Sequence, residues 1–317
     1  MEFHGNSIDD ILIELYPTLI SKGHLIRASR GETIELLSVS LHITSPRARV
    51  SLSENRGKLF SALGEFLWYL SEENNLTFIE PYIPQYRDDT DEDGKIYGGY
   101  GPRIFNAHGS INQIENVINT LRERPTSRRA VIQLFDAKDI ASTHKEVPCT
   151  TTMQFFIRQE KLHMQTTLRS NDAYKGLPHD VFCFTMLQEM ISRSLEIELG
   201  EYHQHVGSMH AYTSDVTRIE TYLHEGYHRL EEMPPMPSGN PFLVVPQLLE
   251  CERRMRADEI FDAYSVIDES YWADLICLVQ AFWASGMSER LDKLSEAIRT
   301  PMYLQYLNTR RPAQRKF

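Results

Sequence analysis

Residues 147–180 read VPCTTTMQFFIRQEKLHMQTTLRSNDAYKGLPHD. Two runs, MQFFIR from Met153 and KLHMQTTL from Lys161, flank Gln159-Glu160 and read as two strands of a hairpin. Cys149 stands before the first strand, just after Pro148. Arg169, Ser170 and Asp172 close the second, and GLPHD follows, ending at Asp180. A thiol, an anion-binding arginine and a selecting carboxylate suffice for chemistry on a nucleotide base.

Working outward, residues 180–195 carry a strong helical pattern after Pro178, stopping near Gly200. Residues 201–212 read as a further strand. Towards the N-terminus, 128–135 (RRAVIQLF) reads as a strand, and 110–124 as a helix ended by Pro125. Apolar residues at 59, 63, 66, 67 and 70 predict a helix over 59–70, and 34–43 alternates as a strand. A short helix is expected over 7–16, stopped near Pro17. MPPMPSGNP (233–241) marks a boundary, and the chain beyond Pro246 looks helical with a basic tail. The expected class is α+β, with a core over 1–232 and a helical segment of the same domain over 233–317.

The chain has 317 residues, 41% of them hydrophobic, enough for a sizeable core. Its net charge of −11 argues against broad duplex binding, which needs a basic face. The four cysteines show no metal or disulfide spacing, so a reducing cytoplasm is the simplest setting. No leader and no membrane-spanning run is expected.

Taken singly, the polar residues have ordinary explanations. A lone cysteine is usually a small buried hydrophobe. Arg128 and Arg129 could be a charged strand start, or a fork for phosphate. Asp180 could cap its helix. Glu65 lies opposite the stripe of Leu63, Leu67 and Leu70, so periodicity makes it solvated. His203 and His205 share a strand face, His210 takes the other, and no third ligand is obvious, so no metal is expected. DDTDEDG (88–94) mimics a calcium loop but has Tyr100 where the bidentate Glu belongs, so it reads as a solvated acidic turn.

Together and in order, these signals resemble the thymidylate synthase superfamily over roughly residues 25–215. The matches are Glu65-Phe66-Leu67-Trp68, Tyr97-Gly98, Ser127-Arg128-Arg129, Pro148-Cys149 with Gln154, Arg169-Ser170-Asn171-Asp172 with Gly176-Leu177-Pro178, and Gly207-Ser208-Met209-His210-Ala211-Tyr212. The resemblance implies a layered α+β fold whose large sheet packs back to back in a homodimer. It implies Cys149 as nucleophile, with Glu65 organising water and proton transfers. Arg169 and Ser170 would hold the phosphate, with Arg30 or else Arg27, and with Arg128 and Arg129 from the partner chain. His210 and Tyr212 would bind the sugar. Asp172 and Tyr97 would lie near the folate and the nucleophile. The co-substrate would be 5,10-methylenetetrahydrofolate, with Gly176, Ile83 and Tyr86 near it.

The chemistry implied is thiolate addition at pyrimidine carbon 6, which makes carbon 5 nucleophilic towards the folate methylene. The exocyclic methylene left on the ring then takes either a hydride, giving methyl, or water, giving hydroxymethyl. Departures from the thymidylate synthase pattern decide between these. His179-Asp180 replaces an aromatic residue and asparagine after GLP. An ionised aspartate only accepts, which suits the amino group and protonated N3 of cytosine and leaves the uracil 4-oxo group without a donor. Asp180 therefore resembles the deoxycytidylate hydroxymethylases of the same superfamily. Thr150 follows the nucleophile in place of histidine, and Ile83 stands near the place of a tryptophan. The expectation is hydroxymethylation of dCMP. The alternatives are thymidylate synthesis from dUMP, hydroxymethylation of CMP, use of another one-carbon donor, and an inactive regulatory homologue.

Overall fold

The computed structural model describes residues 1–28, 30–54 and 59–313. At its centre is a seven-stranded mixed sheet. Its strands are β1 (Glu2–Gly5), β2 (His24–Ala28), β3 (Gly31–Ile43), β4 (Val131–Gln133), β5 (Thr150–Arg158), β6 (Lys161–Asp172) and β7 (Glu198–Tyr212). They lie in the order β1-β3-β7-β6-β5-β4, with β2 folded back on β3. With helices flanking the sheet, this is the expected α+β class.

The hairpin of the opening stretch forms as read. β5 and β6 pair antiparallel up to Arg158 and Lys161. Gln159 and Glu160 both take positive φ, 51° and 60°, as a two-residue turn matched to strand twist requires. β6 and β7 pair parallel, so the chain must cross over between them. The helix Leu177–Ser194 is that crossover. It therefore starts where β6 ends and brings Asp180 back over the strand carrying Arg169.

Several expectations need correction. The first helix, α1 (Ile8–Lys22), runs through Pro17 instead of stopping there. Its capping box at Ser7 and Asp10 and its buried face of Ile8, Ile11, Leu12, Leu15 and Leu19 outweigh one lost hydrogen bond. The strand expected over 128–135 is paired only at Val131–Gln133. The helix expected over 110–124 spans Gln113–Glu123.

Helix α2 (Leu59–Leu70) has the expected bounds but no solvated face. Every residue except Ser61 is buried, Glu65 included at 5% exposure. The crossover helix and Tyr86 cover the Glu65 side, and the C-terminal segment covers the other. Helices Val245–Arg256 and Ser270–Trp283 pack on α2, with Leu248, Trp272, Leu275 and Ile276 facing Leu63, Phe66 and Leu67. Tyr82 donates to Glu252 at 2.8 Å, and Trp283 Nε1 donates to Tyr82 at 3.1 Å. The segment beyond Pro246 is helical as expected. The end of the basic tail, 314–317, lies outside the described residues.

A buried ion pair braces the crossover helix. Arg49 donates to Glu189 at 2.5 Å, both side chains being fully buried. Glu189 also accepts from the Met236 backbone at 2.9 Å. The proline-rich stretch is thereby stitched to the helix that carries Asp180. Among the described residues no helix is long and apolar enough to cross a membrane.

Candidate active site

Cys149 sits half-buried at the entry to β5. Arg169, on the neighbouring β6, donates its backbone N–H to the Cys149 carbonyl at 2.8 Å. Its guanidinium grips the carbonyls of Pro148 and Val147, each at 2.9 Å, and lies 3.6 Å from Cys149 Sγ. The positive charge that a reactive thiol needs is in place. Burial nevertheless pushes the thiol up to about 12. Arg169 opposes that rise, and Glu146 and Asp180 add to it. In the free protein the group is a neutral thiol at physiological pH.

Glu65 projects from α2 into the same region. Its Oε1 accepts from Tyr86 at 2.8 Å and from Tyr69 at 3.3 Å. Burial raises its pKa to about 7, and the two hydroxyls hold it back. A carboxyl poised there can take or give a proton.

Asp180 lies in the first turn of its helix but does not cap it. Its Oδ2 instead accepts from Asn171 Nδ2 at 2.7 Å. Burial, then the charge of Glu65, pushes its carboxyl well above the usual range. The expectation of an ionised Asp180 is thereby shifted in direction: burial and the Glu65 charge favour its protonated form. It can donate as well as accept.

The other expected residues fall into three groups. Ser170 and His210 meet at 3.5 Å, and the His210 ring lies edge-on to Tyr212 at 5.7 Å. Lys175 stands 4.8 Å over the Tyr212 ring. Arg30 pairs with Asp89 and donates to the Lys145 carbonyl at 3.4 Å, while Arg27 is on exposed β2. Asp89 is thus buried against an arginine, so the acidic turn is not wholly solvated.

In the second group, local structure already uses the side chain. Asp172 accepts from the Tyr174 and Lys175 backbones, each at 2.8 Å. Gly176 precedes the crossover helix, where a Cβ would meet Asn171 Nδ2 at 3.1 Å. Tyr97 stacks on His144 at 3.4 Å. Ile83 is half-buried beside Tyr86, which packs edge-on against Trp68 at 5.2 Å.

The third group lies apart. Arg128 and Arg129 are exposed, and neither guanidinium is paired among the described residues. Gln154 donates to the Arg128 carbonyl at 2.9 Å. Elsewhere on β7, His203 stacks on His42, and Glu201 accepts from His42 at 2.9 Å. The sequence offered no way to see that His42 and Glu201 join His203.

Three residues of the site escaped the sequence. Glu146 was passed over three positions before the nucleophile. Its carboxylate occupies the space where Gly98 lacks a side chain. Burial raises it to about 7. The Tyr100 hydroxyl, which the sequence marks only as a missing calcium ligand, accepts from the Thr150 backbone N–H and donates to Thr150 Oγ1, each at 3.0 Å. Asn171, the third residue of RSND, carries no marked signal in the motif itself. Its strand position, one residue from Ser170, was the available signal: it points to the opposite face, towards the crossover helix.

Comparison with known proteins agrees with this geometry. The thymidylate synthase family model matches residues 22–236. A deoxyuridylate hydroxymethyltransferase of Delftia phage PhiW-14 is 30% identical over 218 residues, 62% of this chain and 60% of that protein. Thymidylate synthases of Bacillus phage phi3T and Bacillus mojavensis are each 30% identical over 167 residues, 50% of this chain and 60% of those proteins. The chain thus spans about 60% of the length of these relatives.

Proposed function

Because the chain belongs to the thymidylate synthase family, we propose that it transfers a hydroxymethyl unit to carbon 5 of a pyrimidine nucleoside monophosphate, dCMP foremost. The observation that carries this is Cys149, held beside Arg169, in the field of the half-buried carboxyl of Asp180. 5,10-Methylenetetrahydrofolate supplies the one-carbon unit as co-substrate. The wall of Ile83 and Tyr86 beside Glu65 suits it, and no metal has a part.

Each residue then has a task. The Cys149 thiol gives up its proton and its sulfur bonds carbon 6, which makes carbon 5 the nucleophile. Arg169 and Ser170 bind the phosphate together with Arg30, whose pairing with Asp89 must open. His210 and Tyr212 hold the sugar. Glu65 relays protons at the ring. Carbon 5 bonds the methylene carbon of the co-substrate and loses its own proton to a base, tetrahydrofolate leaving with the electron pair and taking up a proton, so that an exocyclic methylene remains. Water adds to that methylene, its proton passes to a carboxylate, and the electrons return through the ring to expel the Cys149 thiolate. Glu146, beside the nucleophile and free of hydrogen bonds among the described residues, suits the role of that acceptor.

A neutral Asp180 matches cytosine by donating to N3 and accepting from the amino group. It weakens the case against uracil, because the same carboxyl can donate to the 4-oxo group. Deoxyuridylate is therefore the second reading, supported by the Delftia phage relative, a deoxyuridylate hydroxymethyltransferase. Incubation with methylenetetrahydrofolate and dCMP, CMP or dUMP, followed by product mass, tests the assignment. Thymidylate from dUMP, with no hydroxymethyl product from dCMP, would refute it.

We place the enzyme in the cytoplasm as a homodimer, with residues 233–317 in the same domain as 1–232. The open sheet face with Gln154, Phe156, Gln165, Thr167 and His205 would meet its copy. Arg128 and Arg129 would then reach the partner's phosphate site.

A further inference from the structure

Asp180 ends a buried row of hydrogen bonds. Its Oδ2 accepts from Asn171 Nδ2 at 2.7 Å, and Asn171 Oδ1 accepts from Gln204 Nε2 at 2.8 Å. Gln204 Oε1 accepts from the Tyr202 hydroxyl at 2.6 Å, which meets Thr166 Oγ1 at 2.8 Å. Thr166, Tyr202 and Gln204 are wholly buried, and Asn171 is 4% exposed. An amide has one donating and one accepting end, so the row has a direction. Turning Asn171 alone would set its NH2 against that of Gln204. Reversal demands that Asn171, Gln204, Tyr202 and Thr166 all turn together.

We propose that Asn171 is the residue that makes Asp180 choose its base, because it breaks the symmetry of the carboxyl. A neutral carboxyl has one donating and one accepting oxygen. If the two can exchange, it pairs with the amino and N3 edge of cytosine or, reversed, with the oxo and N3–H edge of uracil. Asn171 commits Oδ2 to accepting, so the proton is confined to Oδ1. Only one of the two edges then meets a full complement of donors and acceptors, and the other leaves a buried group unpaired. Under the dCMP reading, on which the choice of base rests, the amino group donates to Oδ2 and N3 faces Oδ1. The pairing is the same whether the shared proton sits on Oδ1 or on N3.

The test compares dCMP and dUMP in wild type, N171A and Q204M, each with methylenetetrahydrofolate. Binding of the two nucleotides by calorimetry and a thermal melt run alongside. The expected result is a fall of at least about tenfold in the dCMP-to-dUMP ratio of kcat/KM for N171A. Q204M, which frees Asn171 to turn, shifts the ratio the same way by less, and decides the matter if N171A does not fold. Equal losses on both nucleotides, with the ratio unchanged, would overturn the proposal and leave Asn171 a structural residue. If wild type makes no hydroxymethyl product from either nucleotide, the functional reading fails by itself. The ratio of binding constants then still tests Asn171.

Discussion

Arg169 holds the Pro148 carbonyl at 2.9 Å and brings the same guanidinium to 3.6 Å from Cys149 Sγ. One side chain therefore fixes the backbone before the nucleophile and supplies its nearest positive charge. Burial still wins, and the thiol is pushed up to about 12. Activation must come when substrate fills the site.

That balance predicts the chemistry of the free protein. Alkylation of Cys149 by iodoacetamide, followed by peptide mass, should be slow at neutral pH. It should rise about tenfold per pH unit with no plateau between about pH 7 and 9, because the thiolate fraction does so well below a pKa. Arg169→Gln should slow it further at every pH. A plateau near neutrality would show a preformed thiolate. The other cysteines are buried and should stay unlabelled.

Glu65 gives a pH signature. Tyr86 donates to its carboxylate at 2.8 Å and so favours the charged form. Tyr86→Phe should raise the Glu65 pKa from about 7 and move the acid limb of the rate profile to higher pH. Glu65→Gln should cost about 10²–10⁴ in rate. An unmoved limb would remove Glu65 from the proton transfers.

The same group carries a stability prediction. A folded-state pKa of about 7 against 4.5 unfolded means that ionisation costs stability as pH rises through about 7. Below the unfolded value the neutral form folds without that cost. Glu65→Gln should therefore stabilise the protein by up to roughly 3 kcal/mol near pH 9 and by little near pH 4. Urea unfolding at the two pH values measures this.

Glu146→Gln should separate two halves of the reaction. Release of the carbon 5 hydrogen, followed with tritiated nucleotide, should persist. Hydroxymethyl product should fall about 10²-fold or more. Equal loss of both would mean that Glu146 serves the thiol and not the water.

The buried pair of Arg49 and Glu189 should matter beyond its own contact. Arg49→Met takes from Glu189 its shortest ion pair, leaving Arg193 at 3.9 Å and the Met236 backbone N–H, and should cost about 3–5 kcal/mol. A loss below about 1 kcal/mol in urea unfolding would mean that the helix is held otherwise.

The hairpin, the crossover helix and α2 were legible because their periodicity and turn chemistry act over a few residues. Pro17 misled because buried contacts of α1, made far along the chain, outweigh one lost hydrogen bond. Glu65 misled for the same reason: Tyr86 and the crossover helix cover the face that its own helix pattern leaves open. Cys149, Arg169 and Asp180 were found as types in an order, and the contacts of Arg169 with Cys149 and of Asn171 with Asp180 are visible only in the folded chain. The upward shift of Asp180 was out of reach because sequence does not display burial. Glu146 and Asn171 were missed because a charge near a turn and an amide in a strand have no marked pattern.

The central claim is that Cys149 and Asp180 direct hydroxymethylation of a pyrimidine nucleotide. The most direct measurement is the product mass after incubation with methylenetetrahydrofolate and dCMP, with Cys149→Ala as control. The account predicts dCMP heavier by one CH2O unit, lost in the variant. An unchanged dCMP, with thymidylate formed from dUMP, would contradict it.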